Sequence, residues 1–286
     1  MDGVILINKE EGLSSFDVVR KLKKLLNTKK VGHCGTLDPL AKGLLVVTVG
    51  KALKISRFLE ADEKEYIATI KLGERTPTLD REGEIIEKKD VSSFNKEDIN
   101  KVFSSLIGEI KQKPPLYSAI SVNGKRLYEY AREKIEVEIK ERDIQIKELE
   151  LMEYGTDFIK YRVVCSKGTY IRVLCETIAN KLNNIGYMSD LIRTRVGKLY
   201  LKDSYSLSDI ENSKYKLIDI ESSLSNFVVL KLKDRDLYKA SNGNVLDFYI
   251  EGNVLVVDEF REVIALYEGD KENNRLICNR VLKERE

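Results

Sequence analysis

Stretches in which apolar and polar residues alternate recur along this chain, and they constrain its fold more than any other feature. Tyr66–Leu72 has an apolar side chain at every second position, and longer stretches of this kind occupy Ile135–Leu151 and Phe158–Cys165. A period of two is typical of half-buried strands. The apolar run Leu44–Val49 and the short run Val4–Asn8 predict two further strands that are buried.

Helical patterns separate these strands. Ser14 and Ser15 are favourable N-cap residues, and the residues after them are apolar at helical spacing, with lysines opposite. The predicted helices are Phe16–Leu26, Ala52–Leu59, Leu127–Arg132, Tyr170–Leu182 and one that Asn95 caps and that ends at Leu106. Consecutive prolines, Pro114 and Pro115, exclude regular helix, and Asn123-Gly124 predicts a hairpin. Leu191–Tyr200 is expected to be extended.

The sequence pattern changes between Asp203 and Leu230, where Ser, Asp, Asn and Lys dominate. Beyond this segment the apolar runs are short, and turns with Asn-Gly or Glu-Gly separate them. This pattern predicts a small β-rich domain. We therefore expect two domains, residues 1–226 and 227–286.

Composition excludes several classes of site. The 286 residues hold a single histidine, His33, and four widely spaced cysteines without a Cys-x-x-Cys pair, so neither a zinc ribbon nor a dithiol redox centre is expected. The sequence lacks Gly-x-Gly-x-x-Gly and a Gly-Lys-Ser/Thr phosphate loop. Catalysis is therefore expected to use carboxylate, Tyr, Arg and Lys groups, with no metal and no cofactor.

Neither a membrane span nor a signal peptide is evident. No apolar run approaches the roughly 20 residues that a membrane helix needs, and the N-terminus lacks a basic region followed by a long apolar stretch. We expect a cytoplasmic protein, a monomer, with no membrane partner.

Positive charge is concentrated in the first 60 residues, although the net charge of the whole chain is only +2. Six cations cluster there: Arg20, Lys21, Lys23, Lys24, Lys29 and Lys30. One interpretation is a solvated helix face. The other is a surface for the phosphates of a nucleic acid, because phosphate attraction supplies most non-specific affinity.

The run Gly32-His33-Cys34-Gly35-Thr36-Leu37-Asp38-Pro39-Leu40 places one carboxylate in a tight turn between the basic helix and the apolar strand. An Asp before Pro often only starts a turn by hydrogen bonding to its own backbone. An acid in a loop on a rigid scaffold can also reach a substrate. By itself the loop supports either interpretation.

Several blocks occur together in a fixed order. They are Asn8-Lys9, the basic helix, the Asp38 loop, Tyr66 in its strand, Lys113-Pro-Pro-Leu-Tyr-Ser-Ala, Arg126-Leu-Tyr-Glu-Tyr-Ala-Arg132 and Ser166-Lys-Gly-Thr-Tyr-Ile-Arg172. This order closely resembles the TruB family of tRNA pseudouridine synthases over nearly the whole chain. The tail, with Tyr238-Lys-Ala-Ser-Asn-Gly243, resembles less closely the RNA-binding PUA domain.

The resemblance implies an α+β pseudouridine synthase fold, with a large, mostly antiparallel mixed sheet flanked by helices and a small C-terminal PUA-like domain. It implies that uridine 55 in the T-loop of tRNA is converted to pseudouridine, so that the RNA partner is the T-stem-loop. Uracil would be flipped out of the RNA, detached from the ribose at N1 and rejoined through C5, without metal, cofactor or redox change.

The resemblance also assigns residues. Asp38 matches the catalytic aspartate, Arg172 the arginine that keeps it charged, and Tyr66 the aromatic that stacks on the target base. Attack of Asp38 on C1′ or on C6, and removal of the C2′ proton by Asp38, remain three open routes. The expected substrate contacts are His33, Lys9, Tyr117, Leu191, Gly35 and Thr36.

Other matches have a structural meaning only. Thr76, Thr78, Asp80 and Gly83 keep the spacing of a family turn and are expected to support the fold. The chain has Glu10 where the family commonly has Pro and Cys34 where it commonly has Thr, and neither change removes a group that the chemistry needs. Two alternatives remain to a stand-alone enzyme: a guide-RNA-dependent relative that works with partner proteins, and a tRNA-folding aid that acts without catalysis.

Overall fold

The computed structural model describes residues 1–61, 63–133, 135–224 and 226–282. The first half of the chain contains β1 (Gly3–Lys9), α1 (Ser15–Leu25), β2 (Val31–Cys34), β3 (Lys42–Val49), α2 (Ser56–Ala61), β4 (Lys64–Leu72), β5 (Glu74–Arg75), β6 (Glu87–Lys88), α3 (Lys96–Leu106), β7 (Gly108–Gln112), β8 (Ser121–Val122), β9 (Lys125–Arg126) and α4 (Leu127–Glu133). The second half contains β10 (Arg142–Tyr154), β11 (Phe158–Cys165), α5 (Ile171–Lys181), β12 (Gly186–Val196), β13 (Leu199–Tyr200), α6 (Leu207–Glu211), α7 (Ile220–Ser223), β14 (Val228–Lys231), α8 (Asp234–Ser241), β15 (Asn253–Val257), β16 (Val263–Asp270) and β17 (Arg275–Val281).

Nine strands of the described chain form one large sheet. Its order is β1-β3-β12-β4-β11-β10-β7, with β2 added beside β3 and β13 beside β12. The β3–β12 pair is parallel, and the other pairs in this sheet are antiparallel. The predicted α+β class with a large, mostly antiparallel mixed sheet is confirmed.

The apolar run in β3 is buried on both faces, which explains why it does not alternate. Leu45 and Val47 pack with α1 on one face, whereas Leu44 and Val46 belong to a second core on the other. The half of the sheet around β4 and β11 packs against α3 and α5. Ser14 caps α1 through a reciprocal bond with Asp17, as its position predicts.

The C-terminal strands form a separate four-stranded sheet, β14-β15-β16-β17, within the described residues. One face of this sheet, with Leu255 and Leu266, shares a core with Leu6 and Leu44 of the large sheet. The other face packs on α8. The division into residues 1–226 and 227–286 stays a prediction, and residues 283–286 lie outside the described chain.

Several element boundaries differ from those predicted. The strand expected over Ile135–Leu151 begins only at Arg142, because its partner β7 is short and pairs with residues 142–146. The helix expected over Ala52–Leu59 is a 3₁₀ segment, Gly50–Ile55, followed by α2. The extended segment expected over Leu191–Tyr200 is two strands, β12 and β13. Among the described helices, none is both long and apolar enough to cross a membrane.

Candidate active site

The loop that carries Asp38 joins β2 to β3 and is held on both sides of the carboxylate. The Leu37 amide donates to Ser15 Oγ at 2.9 Å, which ties the loop to the start of α1. After the aspartate, the Gly12 amide and Lys9 Nζ donate to the Pro39 carbonyl at 2.9 and 3.2 Å. Asp38 therefore lies in a loop whose backbone is fixed by two neighbouring elements.

Arg172, in the first turn of α5, lies between two carboxylates. Its Nε is 3.1 Å from Asp38 Oδ2 and its Nη1 is 3.2 Å from Asp80 Oδ2. Nη1 also donates to the Thr78 carbonyl and Nη2 to the Tyr117 carbonyl, both at 3.0 Å. The guanidinium is thus fixed in orientation, and its Nε lies within ion-pair distance of Asp38 Oδ2.

The position of Arg172 depends in turn on Gln112 of β7. The Gln112 side chain accepts from the Tyr170 amide at 2.8 Å and donates to the Tyr170 carbonyl at 3.1 Å. Tyr170 is the N-cap residue of α5, and its own side chain makes no cap hydrogen bond. The side-chain amide of Gln112 instead fixes the backbone of Tyr170, two residues before Arg172.

The charge on Asp38 depends on its neighbours. Burial raises the pKa of Asp38 above its ordinary value, the Arg172 guanidinium opposes that rise, and the Asp80 carboxylate adds to it. The Asp38 side chain is still 35% exposed, so it is open to the cavity in front of it. Asp80 was expected to be structural only, yet it lies in contact with the arginine that pairs with Asp38.

A cavity of about 850 Å³ opens in front of Asp38 and Arg172. The predicted residues that line it are Gly35, Thr36, Asp38, Tyr66, Tyr117, Arg172 and Leu191. Tyr66 on β4 lies directly opposite Arg193 on β12, two residues after Leu191. Burial raises the pKa of the Tyr66 phenol, so this hydroxyl is protonated at neutral pH.

Arg193 also lines the cavity and was not among the predicted site residues. Its side chain lies beside Gly35, where an added Cβ would be in ordinary contact with Arg193 Nη1, at 3.4 Å. The Gly35 φ is +84°, which favours glycine at this position. Alternation along β12 could have indicated Arg193, since residues two apart on a strand share a face and Leu191 was a predicted contact.

Two predicted contacts, Lys9 and His33, lie outside the cavity wall within the described residues. Lys9 is 1% exposed and donates to the Glu10, Leu13 and Pro39 carbonyls, so it supports the Asp38 loop from below. Burial lowers the pKa of Lys9 to about 8. His33 lies on β2, and its Nδ1 has no hydrogen-bond partner in the described part of the chain. Burial lowers the pKa of His33.

The six clustered cations do not line the cavity either, as far as the described chain shows. They lie on α1 and in the turn after it, and Arg20 pairs with Asp17 at 2.6 Å. The cavity rim has different cations, Arg57, Arg142 and Lys167, which the sequence patterns did not single out. In the part of the chain that the structure describes, no three His, Cys, Asp or Glu side chains are grouped as a metal site would need.

Comparison with known proteins identifies the family. Residues 23–171 match the N-terminal domain of the TruB family pseudouridylate synthases. A relative named tRNA pseudouridine synthase B from Geobacillus thermodenitrificans is 42% identical, with 93% of this chain and 94% of the relative aligned. Proteins of the same name from Staphylococcus aureus and Clostridium tetani are 41% and 39% identical, and the alignments cover 94% and 99% of those relatives.

Solved structures agree in fold. The chain matches a protein in the crystal structure of a Cbf5-Nop10-Gar1 complex with a TM-score of 0.74 and 24% identity, over 99% of this chain and 85% of the other. It matches a chain of an H/ACA RNP bound to a substrate RNA containing 2′-deoxyuridine with a TM-score of 0.73 and 22% identity, over 99% and 86% of the two chains. Together with the family match and the full-length relatives, this shows that the chain belongs to the TruB family of pseudouridine synthases, which are isomerases.

Proposed function

We propose that this protein converts uridine to pseudouridine at position 55 in the T-loop of tRNA, without a guide RNA. The observation that carries the proposal is the ion pair between Asp38 and Arg172 on the wall of a cavity that also contains Tyr66. The relatives that align over nearly their whole length are named as tRNA enzymes, which supports tRNA as the substrate.

The arrangement suits a reaction on a single flipped nucleotide. A uridine within an RNA structure must leave its stack to reach a carboxylate on the wall of a cavity, at a cost of a few kcal/mol. Stacking on the Tyr66 ring offsets part of that cost, by roughly 1–3 kcal/mol. Leu191 provides an apolar wall beside the ring.

Asp38 carries the chemistry in this proposal. As a carboxylate held charged by Arg172, it attacks C1′ or C6, or it removes the C2′ proton. The N1–C1′ bond breaks, C5 bonds to C1′, and the proton lost from C5 is balanced by one gained at N1. Each route needs the ionised form of Asp38, so Arg172 serves the reaction by opposing protonation. The small C-terminal sheet is proposed to act as a PUA-like surface for the rest of the tRNA.

The first prediction concerns Asp38. Purified wild-type protein is expected to convert the target uridine of a T-stem-loop transcript with no added guide. Asp38→Asn and Asp38→Ala are expected to make no detectable pseudouridine while RNA affinity stays near the wild-type value, because the carboxylate reacts rather than binds. Nucleoside analysis by mass spectrometry and filter binding measure the two quantities.

Asp90→Asn is the matched control, since Asp90 is exposed and does not line the cavity. Pseudouridine from Asp38→Ala would overturn the proposed mechanism. Product that forms only after a guide RNA and partner proteins are added would favour the guide-dependent alternative. An inactive Asp38 variant that fully restores tRNA folding in cells would assign the folding role separately from catalysis.

A further inference from the structure

Within the described residues, Arg193 is a buried cation without an acidic partner. Its side chain is 1% exposed and is among the largest of the fully buried side chains. Among the described residues, no carboxylate lies within ion-pair distance of its guanidinium, in contrast to Arg172 and Arg195, which pair with acids. A buried charge without a counterion is costly, so this position calls for an explanation.

Backbone carbonyls hold the guanidinium in place. Nε donates to the Leu44 carbonyl at 2.7 Å, and Nη2 and Nη1 donate to the Gly35 and Thr36 carbonyls at 3.1 and 3.5 Å. These bonds fix Arg193 rigidly to β3 and to the Asp38 loop, but carbonyl dipoles do not neutralise its charge. A guanidinium has more N–H groups than these three bonds use, and side-chain hydrogen bonding between Arg193 and the Tyr66 hydroxyl also lowers the pKa of Tyr66.

The charge lies where the cavity meets Tyr66. Arg193 lines the cavity and is the cross-strand neighbour of Tyr66, and its positive charge opposes the rise in the Tyr66 pKa. A pyrimidine stacked on Tyr66 would therefore lie near a positive charge that no acid has neutralised. Arg172, by contrast, has its charge taken up by Asp38 and Asp80.

The proposed reaction makes the pyrimidine negative. If Asp38 attacks C1′, or removes the C2′ proton so that a C1′–C2′ double bond forms, the electron pair of the N1–C1′ bond leaves with the ring as a uracil anion. If Asp38 adds to C6, the electron pair of the C5–C6 bond moves onto C5 and O4. In all three routes negative charge collects on the ring before C5 joins C1′. A fixed cation beside that ring lowers the barrier, because it needs no reorganisation.

We propose that Arg193 is a catalytic residue that stabilises the negative charge on the uracil ring. This inference rests on the proposed function, since it requires uridine in the cavity. Arg172 keeps the Asp38 carboxylate charged, and Arg193 stabilises the negative charge that develops on the base. One arginine therefore acts on the group that starts the reaction and the other on the ring that becomes negative.

The test changes the stability of the ring anion. Single-turnover rates are measured for T-stem-loops with uridine or 5-fluorouridine at the target position, as loss of the N-linked nucleoside. Fluorine withdraws electrons and stabilises the anion without help from the protein. Arg193→Met is expected to lower the single-turnover rate with the uridine RNA by about 10²–10³-fold, the effect of removing one preorganised donor. The fold-reduction of the rate with the 5-fluorouridine RNA is expected to be several times smaller.

The ratio of the two rates separates catalysis from folding, because any loss of folded enzyme lowers both rates equally. Arg193→Lys keeps the charge and is expected to keep a ratio near the wild-type value. The control Arg162→Met is expected to do the same, since Arg162 of β11 pairs with Glu148 and is not among the described residues that line the cavity. Equal slowing of both substrates by Arg193→Met, or no slowing, would overturn this inference alone. A wild-type protein that leaves both RNAs unchanged would overturn the proposed function itself.

Discussion

Two carboxylates and one guanidinium form an asymmetric charge set around Arg172. Asp80 is 4% exposed and Asp38 opens to the cavity, so only Asp38 can reach a substrate. Asp80 helps to hold the guanidinium, but its negative charge also raises the pKa of Asp38. Asp80 therefore fixes the arginine but makes Asp38 harder to ionise.

The pH profile of the reaction is predicted to report on this balance. The reaction needs ionised Asp38, so its rate falls when the pH drops through the pKa of that group. Arg172→Gln removes a charge that lowers this pKa, and the acidic limb is expected to move to higher pH. Asp80→Asn removes a charge that raises it, so the limb is expected to move to lower pH. Single-turnover rates across the pH range measure both shifts, and a shift of the same sign in the two variants would contradict the account.

The family resemblance assigned roles to Asp38, Tyr66 and Arg172, and all three line one cavity. Their roles in the reaction stay a prediction. Asp80 was taken as a turn residue, because nothing in the chain shows that this turn folds back onto Arg172. Lys9 was expected in the cavity wall, but its side chain donates to backbone carbonyls, including that of Pro39 in the Asp38 loop. Tertiary packing decides which of these a lysine contacts.

At the level of elements, the parallel contact between β3 and β12 joins the two parts of the site. Gly43 pairs with Arg193 across this contact, which brings the Asp38 loop beside the strand with Leu191 and Arg193. The Gly43 φ is +99°, and a Cβ there would lie 2.4 Å from the Arg193 carbonyl oxygen. Only glycine fits a position that is both left-handed and in such close backbone contact.

Gly43→Ala is therefore predicted to destabilise the protein and to reduce its activity. Backbone strain of this kind costs of order 1–3 kcal/mol, and the contact with the Arg193 carbonyl adds to that. Urea unfolding measures the loss of stability, and single-turnover kinetics on the folded fraction measure the loss of activity. Gly12→Ala is the matched control, since Gly12 has a φ of +84° but open space around it. An equal loss of stability in the two variants would show that the close contact between β3 and β12 has no separate cost.

Strands with a buried face were predictable, and elements without a strong apolar pattern were not. Period-two alternation located β4 and β11, whereas it extended β10 too far towards the N-terminus, into residues 135–141. Those residues alternate, but β7 is too short to pair with them. Helix α8 was missed because it packs on its sheet through only Leu237 and Ala240, too few residues for a helical stripe.

For the whole molecule, the exposed cations considered for RNA binding form two groups, one at the cavity and one on α1. Arg57, Arg142 and Lys167 line the cavity and are exposed, so they are available to a nucleotide that enters in the proposed reaction. The α1 cluster lies outside the cavity, yet Ser15 at the start of α1 is bonded to the Asp38 loop, so the helix runs away from the site. An RNA that places one base beside Asp38 can extend its backbone along this helix.

A variant with Arg20, Lys21 and Lys24 all replaced by Gln tests whether α1 contacts phosphates. Each phosphate contact releases condensed counterions, so the logarithm of the binding constant falls with the logarithm of salt concentration by about 0.7–0.9 per contact. The triple variant is expected to bind the T-stem-loop more weakly and with a shallower salt slope, while the single-turnover rate at saturation is unchanged because α1 holds the RNA outside the cavity. Replacing Lys96 and Lys101 on α3, which are equally exposed, is expected to leave the slope as it is. A slope in the α1 variant equal to that of the wild type would mean that the cluster is only a solvated helix face, and that the cations at the cavity rim supply the electrostatic attraction.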